Sequence, residues 1–186
     1  YGVKATGVTL SREQAEWGQA WVRREGLGDR CQIHHMDYRD LPEGQTYRKI
    51  SAIGIIEHIG IENYPSYFCR VRDRLRGGGL FLNHGITHEK YWKRSSQTDF
   101  LEKLVFPNGE MDNITHILDV MEQERWEVLD VESLRLHYAR TCHQWYENFE
   151  NNAELLKEIV GERTYRVYRL WLVCSAECFY AGYLGL

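Results

Sequence analysis

The sequence predicts an α/β fold in which a mostly parallel sheet is flanked by helices. Strand-like apolar segments alternate with helical segments up to His84, which is typical of a doubly wound sheet. The most informative strand is predicted at Ile50–Ile55, and it leads directly to Glu57 and His58. Because side chains at the carboxyl ends of parallel strands face the ligand crevice, Glu57 and His58 are predicted to be functional. The alternative is a solvated pair in the first turn of a helix, where glutamate is also favoured.

Length and composition indicate a single globular domain over residues 1–186. The formal net charge of −4 argues against a nucleic-acid partner. No apolar run in the sequence reaches the about 20 residues that a bilayer-spanning helix needs, and no signal peptide is expected because Tyr1–Leu10 has the pattern of a strand. Five cysteines at irregular spacings do not match a disulfide framework, so a cytoplasmic location is expected.

The first part of the chain predicts a strand, a helix and a second strand. The first strand is predicted at Tyr1–Leu10, and the helix runs from Ser11 to about Glu25. Ser11 is predicted to cap this helix, and Gln14, three residues later, completes the pattern of a capping box. The second strand is predicted at Cys31–His35.

A second helix is predicted from four apolar residues that share one face, and the glycines Gly77–Gly79 are predicted to end it. The residues of this face are Tyr64, Phe68, Val71 and Leu75. A buried strand at Leu80–Leu82 follows and leads to His84. Three strand ends, at Thr9, Glu57 and His84, are therefore expected to meet at one edge of the sheet.

The remaining sequence departs from simple alternation. Thr87–Asn108 is polar and aromatic, and a segment of this length is predicted to be a lid or a substrate wall. Cys174 and Cys178 are four residues apart, but without further clustered ligands they do not predict a metal site. The other predicted elements are a helix at Ile114–Gln123, a strand at Trp126–Leu134, a helix that holds Trp145, Tyr146 and Phe149, and a last helix at Arg163–Tyr180.

Five segments carry a family resemblance. They are Gly7–Ser11 with Gln14, Asp37–Leu41, Ile53–Gly60, Phe106–Gly109, and His137–Thr141 with Trp145 and Tyr146. In this order and spacing they resemble the cyclopropane-fatty-acyl-phospholipid synthases and the related mycolic acid cyclopropane synthases. The resemblance implies a Rossmann-like, class I S-adenosylmethionine-dependent methyltransferase fold. It also implies a reaction that adds a methylene across the double bond of an unsaturated acyl chain on a phospholipid.

The resemblance further implies how such a protein meets its lipid. The segment at about 87–125 corresponds to a lipid-site insertion in the catalytic domain. The expected partner is an unsaturated phospholipid, reached by peripheral contact with the inner membrane from the cytoplasmic side. The family resemblance also suggests a homodimer.

Cofactor-binding residues follow from the same resemblance. One group matches the family segment beside the methionine and ribose parts of S-adenosylmethionine, namely Thr9, Leu10 and Gln14. A second group matches positions around the adenine, namely Tyr38, Arg39 and Ile53.

The predicted catalytic residues match family positions that hold a bicarbonate ion, and they are Glu57, His84, Ile86 and Tyr146. Methyl transfer to an isolated alkene leaves a carbocation, and a base must take a proton from the new methyl group before the ring closes. Bicarbonate is the expected base. An ionised Glu57 would repel this anion, so Glu57 is expected to act through a proton or to accept the bicarbonate O–H.

Several family features are missing from the sequence. The chain begins at what would be the second strand of the fold, without the glycine-rich cofactor loop and the upstream cysteine. It also stops where the family has a final strand, so we expect a fragment that is inactive alone. A family cysteine aligns with Ser175, beside Cys174, and Glu110–Asn113 replaces the usual Leu-Pro-Ser type of segment.

Three other functions stay open at this point. One is a methyltransferase that acts on another lipid or a small molecule without closing a ring. The second is a non-catalytic, lipid-binding fragment. A nicotinamide-linked dehydrogenase is a weaker alternative, because the glycine-rich fingerprint that it needs is missing as well.

Overall fold

The computed structural model describes residues 2–186, apart from the side chain of Gln97. Contacts within the chain divide it into two compact units, residues 1–46 and 47–186. The first unit contains β1 (Ala5–Thr9), α1 (Arg12–Arg24) and β2 (Cys31–His35). The second contains β3 (Tyr47–Ile53), α2 (Tyr64–Asp73), β4 (Leu75–His84), β5 (Thr87–His88), α3 (Ser96–Leu104), α4 (Ile114–Gln123), α5 (Arg135–Asn151), α6 (Ala153–Ala181) and β6 (Leu184–Gly185).

The first unit is a parallel strand pair with one helix. β1 and β2 pair in parallel over their whole length, and β2 has the predicted bounds. Ser11 caps α1 as predicted, because its Oγ accepts a hydrogen bond from the N–H of Gln14 at 3.2 Å. The reciprocal bond of a capping box is replaced, since the Gln14 Oε1 accepts instead from the Thr9 hydroxyl at 3.1 Å. Tyr1, the first residue of the predicted strand, lies outside the described residues.

The second unit begins with another parallel pair, and its register brings two strand ends together. β3 pairs with β4 so that Ile53 is opposite His84. α2 supplies buried aromatic rings to this unit, and the ring centroids of Tyr67 and Phe81 are 6.4 Å apart. β3 ends two residues before the predicted Ile55, because Gly54 takes a positive φ of 63° and turns the chain.

The predicted end of the second helix is wrong. α2 ends at Asp73, and Leu75 already begins β4, so Gly77–Gly79 lie inside a strand. Gly79 has a physical reason to be there, since a Cβ at this position would lie 2.9 Å from the carbonyl oxygen of Arg48 on the neighbouring strand. Gly79 therefore permits a close approach between strands, and the three glycines do not stop the helix.

The strand predicted at Trp126–Leu134 is also wrong, because this segment is irregular. Its ends are fixed by other contacts: the indole N–H of Trp126 donates to the carbonyl of Phe68 at 3.3 Å, and the N–H of Leu134 donates to the carbonyl of Leu186 at 2.8 Å. Apolar residues in this stretch thus anchor a connection between α4 and α5.

The chain closes with a helical hairpin and a short strand. α5 and α6 pack against each other, and Gly161, at φ 81°, interrupts α6 just before the predicted helix start at Arg163. β6 pairs antiparallel with β5. None of the helices in residues 2–186 is long and apolar enough to cross a membrane.

Candidate functional site

The predicted cofactor residues of the first unit lie at the carboxyl ends of its two strands. Thr9 ends β1, and its hydroxyl joins Gln14 at 3.1 Å and accepts from the N–H of Ser11 at 3.2 Å. The Leu10 side chain is exposed, and its carbonyl accepts from His35 at 3.0 Å. The structure therefore brings Thr9, Leu10 and Gln14 together, and their role in cofactor binding stays a prediction.

Tyr38 and Arg39 form a short helical turn, Tyr38–Asp40, directly after β2. Asp37 starts this turn, because its carboxylate accepts from the backbone N–H of Arg39 at 2.9 Å. The same carboxylate pairs with the Arg39 guanidinium at 2.6 Å, which raises the pKa of Arg39. Both residues belong to the first unit with Thr9, whereas the sixth predicted residue, Ile53, belongs to the second unit.

Glu57 is a buried residue, only 8% exposed, in a short helical turn at Ile56–His58. Its Oε1 accepts a hydrogen bond from the backbone N–H of Ile86 at 2.5 Å. Its Oε2 is buried without a hydrogen-bond partner among the described residues. A buried carboxylate oxygen without a partner is costly, so this atom is a candidate for contact with a ligand or a proton.

His84 is the second buried polar group at this end of the sheet. It lies at the end of β4 opposite Ile53, and its carbonyl accepts from the N–H of Gly54 at 2.9 Å. Its Nδ1 atom is buried and has no hydrogen-bond partner within residues 2–186. Because Ile86 follows two residues later and contacts Glu57, the structure brings His84, Ile86 and Glu57 into one region, and their catalytic role stays a prediction.

Tyr146 has a different environment from these three residues. Its hydroxyl accepts from the guanidinium of Arg169 at 3.4 Å, and Arg169 in turn donates to the carboxylate of Glu150 at 2.9 Å. These contacts join α5 to α6 and do not include Glu57. The role of Tyr146 therefore stays a prediction.

Tyr138 is a candidate that sequence reasoning missed. Its ring and the Ile86 side chain both pack against one buried cluster, and burial, Cys142 and Glu57 raise the pKa of the Tyr138 phenol. Tyr138 thus shares this cluster with Ile86, whose N–H binds Glu57. Tyr138 lies four residues before the buried Cys142, so both residues share one face of the helix. This spacing is the sequence signal that could have pointed to Tyr138. The buried cluster comprises Ala139, Cys142, Ala176 and Phe179.

The Phe106–Glu110 loop is fastened to the turn that carries Glu57. The N–H of Glu110 donates to the carbonyl of Glu57 at 2.8 Å, and the Glu110 carboxylate accepts from the N–H of Ile61 at 2.9 Å. These two bonds hold the turn from both sides. Glu110 belongs to the segment in which this sequence differs from the usual family pattern.

Aromatic rings extend from the same loop. The Phe106 ring lies 6.0 Å from the His58 imidazole and 5.4 Å from the Trp171 ring. Trp171 also meets Tyr168 edge-on at 5.5 Å. These ring contacts join the loop to His58 and to α6.

The sequence model of one protein family, described as mycolic acid cyclopropane synthetase, matches residues 1–186. The chain belongs to this family. A probable fatty acid methyltransferase of Pseudomonas putida is 39% identical over all of this chain and 48% of its own length. Another, from Mycobacterium tuberculosis, is 40% identical over 100% of this chain and 43% of its own length. A sphingolipid C9-methyltransferase of Emericella nidulans is 31% identical over 94% of this chain and 35% of its own length.

Solved structures of the family share the fold. A cyclopropane synthase of Mycobacterium tuberculosis matches with a TM-score of 0.93 at 23% identity, over 100% of this chain and 68% of its own. A mycolic acid cyclopropane synthase complexed with S-adenosylhomocysteine and CTAB matches with a TM-score of 0.91 at 26% identity, over the same shares. The fold is that of the class I S-adenosylmethionine-dependent methyltransferases. The chain spans about half the length of the curated relatives that it matches first.

Proposed function

We propose that the full-length protein transfers a methyl group from S-adenosylmethionine to the double bond of an unsaturated fatty acyl chain on a phospholipid and closes a cyclopropane ring. The observation that carries this proposal is the buried Glu57 carboxylate, with one oxygen on the Ile86 N–H and the other unpartnered among the described residues. An alkene substrate has no polar handle at the reacting carbons, so the protein must supply an oriented, water-poor site and a proton acceptor.

Six residues would hold the cofactor, and they are Thr9, Leu10, Gln14, Tyr38, Arg39 and Ile53. The polar pair Thr9–Gln14 at the carboxyl end of β1 fits a group with hydrogen-bonding hydroxyl and amino functions. Ile53, 62% exposed at the end of β3, offers apolar surface to a flat base. When bound, the cofactor supplies an electrophilic methyl group on a sulfonium ion.

Bicarbonate fits the buried polar atoms at the end of β4. The Nδ1 of His84 and the Oε2 of Glu57 are both buried and unpartnered in the described part of the chain, so they offer complementary contacts to a small anion with one O–H group. The Ile86 N–H already binds Glu57, so its proposed role is to orient that carboxylate. When bound, bicarbonate supplies the base for the new methyl group.

Two further features support a cationic intermediate on the lipid. Phe106 lies between His58 and Trp171, and faces of aromatic rings stabilise nearby positive charge. Tyr138, half-buried near Glu57, offers another ring and a hydroxyl to the same region. We propose that Tyr138, in preference to Tyr146, supplies the phenol of the site.

A second candidate function is methylation without ring closure. It is favoured by the segment Glu110–Asn113, which differs from the usual pattern directly beside the Glu57 turn. It is also consistent with the relatives named as fatty acid and sphingolipid methyltransferases. Both functions share the first chemical step and differ in where the cation loses its proton.

The experiment incubates the full-length protein with labelled S-adenosylmethionine and unsaturated phospholipid vesicles, with and without bicarbonate, and analyses the lipid by mass spectrometry. The expected product carries one additional CH₂ and ring-specific fragments, and its formation slows in bicarbonate-free buffer. A methyl-branched product would favour the second function. Absence of labelled lipid, with intact cofactor binding, would contradict both.

Glu57→Gln is the matching variant. Its amide oxygen can still accept from the Ile86 N–H, so the turn is kept while the proton acceptor is lost. We expect turnover to fall on the order of 100-fold or more, with unchanged S-adenosylhomocysteine binding by calorimetry. Glu62→Gln, an exposed carboxylate nearby, is the control and should behave as wild type.

A further inference from the structure

The reaction proposed above releases one proton for each methyl group transferred. The C–S bond breaks as the alkene carbon bonds to the methyl carbon, and a methyl C–H bond then supplies the electron pair that closes the ring. The released proton must leave a buried region, because Glu57 is only 8% exposed. A path from Glu57 to the surface is therefore needed for each turnover.

Tyr64 is the first group on such a path. It is completely buried, and its hydroxyl, like Glu57 Oε2, lacks a hydrogen-bond partner in the described part of the molecule. Burial, and then the charges of Asp112, Glu57 and Glu110, raise the pKa of the Tyr64 phenol. The phenol therefore stays protonated and can pass a proton on only by accepting one and donating its own.

Asp112 and His116 continue the path to solvent. Asp112 is a buried carboxylate at 6% exposure, and its Oδ2 contacts the Nδ1 of His116. The His116 imidazole lies 6.3 Å from the Tyr64 ring, between centroids, and its side chain is 44% exposed. Tyr64, Asp112 and His116 therefore lie together, and His116 is the member whose side chain reaches solvent.

We propose that Tyr64, Asp112 and His116 form a proton relay to solvent from Glu57, which takes up the proton that the new methyl group loses to the bound base. The inference rests on the proposed function, because it moves the proton that this reaction releases. Bridging water between the hydroxyl and the carboxylates completes the path, as is usual for buried polar groups. The three residues act through Glu57 and not on the lipid itself.

A purely structural role makes different predictions. The N–H of His116 bonds to the Oδ1 of Asn113, the N-cap of α4, and the Asp112 Oδ1 accepts from the Asn113 N–H at 2.7 Å. If these contacts only fixed the start of α4, substitutions would lower stability and small bases would not restore activity. A relay predicts that a small base restores activity to the His116→Ala variant.

The experiment measures turnover on unsaturated phospholipid vesicles with the full-length protein, three single variants and one double variant. Tyr64→Phe and His116→Ala should each reduce turnover on the order of 10-fold. Added imidazole should restore the His116→Ala variant in a concentration-dependent manner. The control, His143→Ala, removes a histidine that pairs with Glu147 at 3.4 Å on the exposed side of α5, and it should keep wild-type turnover with no response to imidazole.

Two further readouts make the test sharp. Tyr64→Phe removes a buried hydroxyl that has no partner within residues 2–186, so its thermal midpoint should not fall even though turnover does. The double variant should be no slower than the slower single variant, because both residues serve one path. The relay would be overturned by wild-type turnover in both single variants, or by a loss of turnover that imidazole leaves unchanged. In either case, product formation by the wild-type protein would still support the proposed function. No product from the wild-type protein would overturn the proposed function itself.

Discussion

Two tyrosines of α5 have contrasting environments, although only eight residues separate them. Tyr138 packs with Ile86 against the buried cluster and lies in the field of Glu57. The Tyr146 hydroxyl accepts a hydrogen bond from Arg169 at the junction of α5 and α6. The choice between them depends on which face of the helix is buried, and sequence matching alone favoured the other face.

Substitution by phenylalanine separates the two tyrosines. Tyr138→Phe should lower turnover on the order of 10-fold or more, because it removes the phenol that we propose for the site. Tyr146→Phe removes one long surface hydrogen bond and should change turnover less than twofold or so. Steady-state kinetics on lipid vesicles make the comparison, and the reverse order of effects would return the role to Tyr146.

At the scale of elements, the connection between β4 and β5 positions Glu57. Gly85 follows His84, and a Cβ at this residue would overlap the Ile56 side chain and lie 3.5 Å from the Glu57 Oε1. The glycine thus lets the turn that carries Glu57 lie directly against the end of β4. This close approach is what allows the Ile86 N–H to reach the carboxylate.

Gly85→Ala should therefore displace the Glu57 turn. We expect at least a tenfold or so loss of turnover and a loss of stability of about 1–3 kcal/mol, as for other overpacked sites. Gly77→Ala is the control, because a Cβ there meets nothing within 4 Å in the structure. Kinetics and urea unfolding of both variants test this, and equal behaviour would show that Ile56 yields without moving Glu57.

Sequence patterns predicted some elements well for local reasons. β2 and α4 have the predicted bounds, because alternation and a capped apolar face are encoded within each segment. Trp126–Leu134 carries a strand-like composition, but its anchors, Phe68 and Leu186, are distant in the chain. Contacts of this kind are invisible to local patterns, as is the close approach that explains Gly79.

For the candidate site, the order of strands and helices predicted that the carboxyl ends of β3 and β4 lie at one edge of the sheet. It did not predict the hydrogen bonds among the residues there. Register places Ile53 opposite His84, as a parallel pair requires. The assignment of Glu57 Oε1 to the Ile86 N–H, and the path through Tyr64, depend on side-chain packing. The sequence contains these residues without any spacing that relates them.

At the scale of the whole molecule, burial links stability to alkaline pH. Burial raises the pKa of the Cys142 thiol from 9.0 to about 11. The unfolded chain therefore loses this proton first, so the free energy of unfolding is unaffected below about pH 9 and falls as the pH rises toward 11. The raised pKa of the Tyr138 phenol adds to the same trend at higher pH.

We expect the Cys142 contribution to amount to about 2 kcal/mol between these limits. Urea unfolding at a series of pH values from 8 upward measures it, and the Cys142→Ala variant should show a shallower decline, although its stability at pH 8 is lower. Identical slopes for wild type and variant would mean that the thiol is not protected in the folded protein.

The hydrogen bonds from Glu110 to Glu57 and Ile61 affect how the Phe106–Glu110 loop can be engineered. If a loop from a relative replaces this one, the new loop will lack these two hydrogen bonds unless the turn at Glu57 is replaced together with it. We expect variants changed only at residues 106–113 to lose turnover rate when their substrate selectivity changes. The loop and the turn that carries Glu57 are best exchanged together or both kept unchanged.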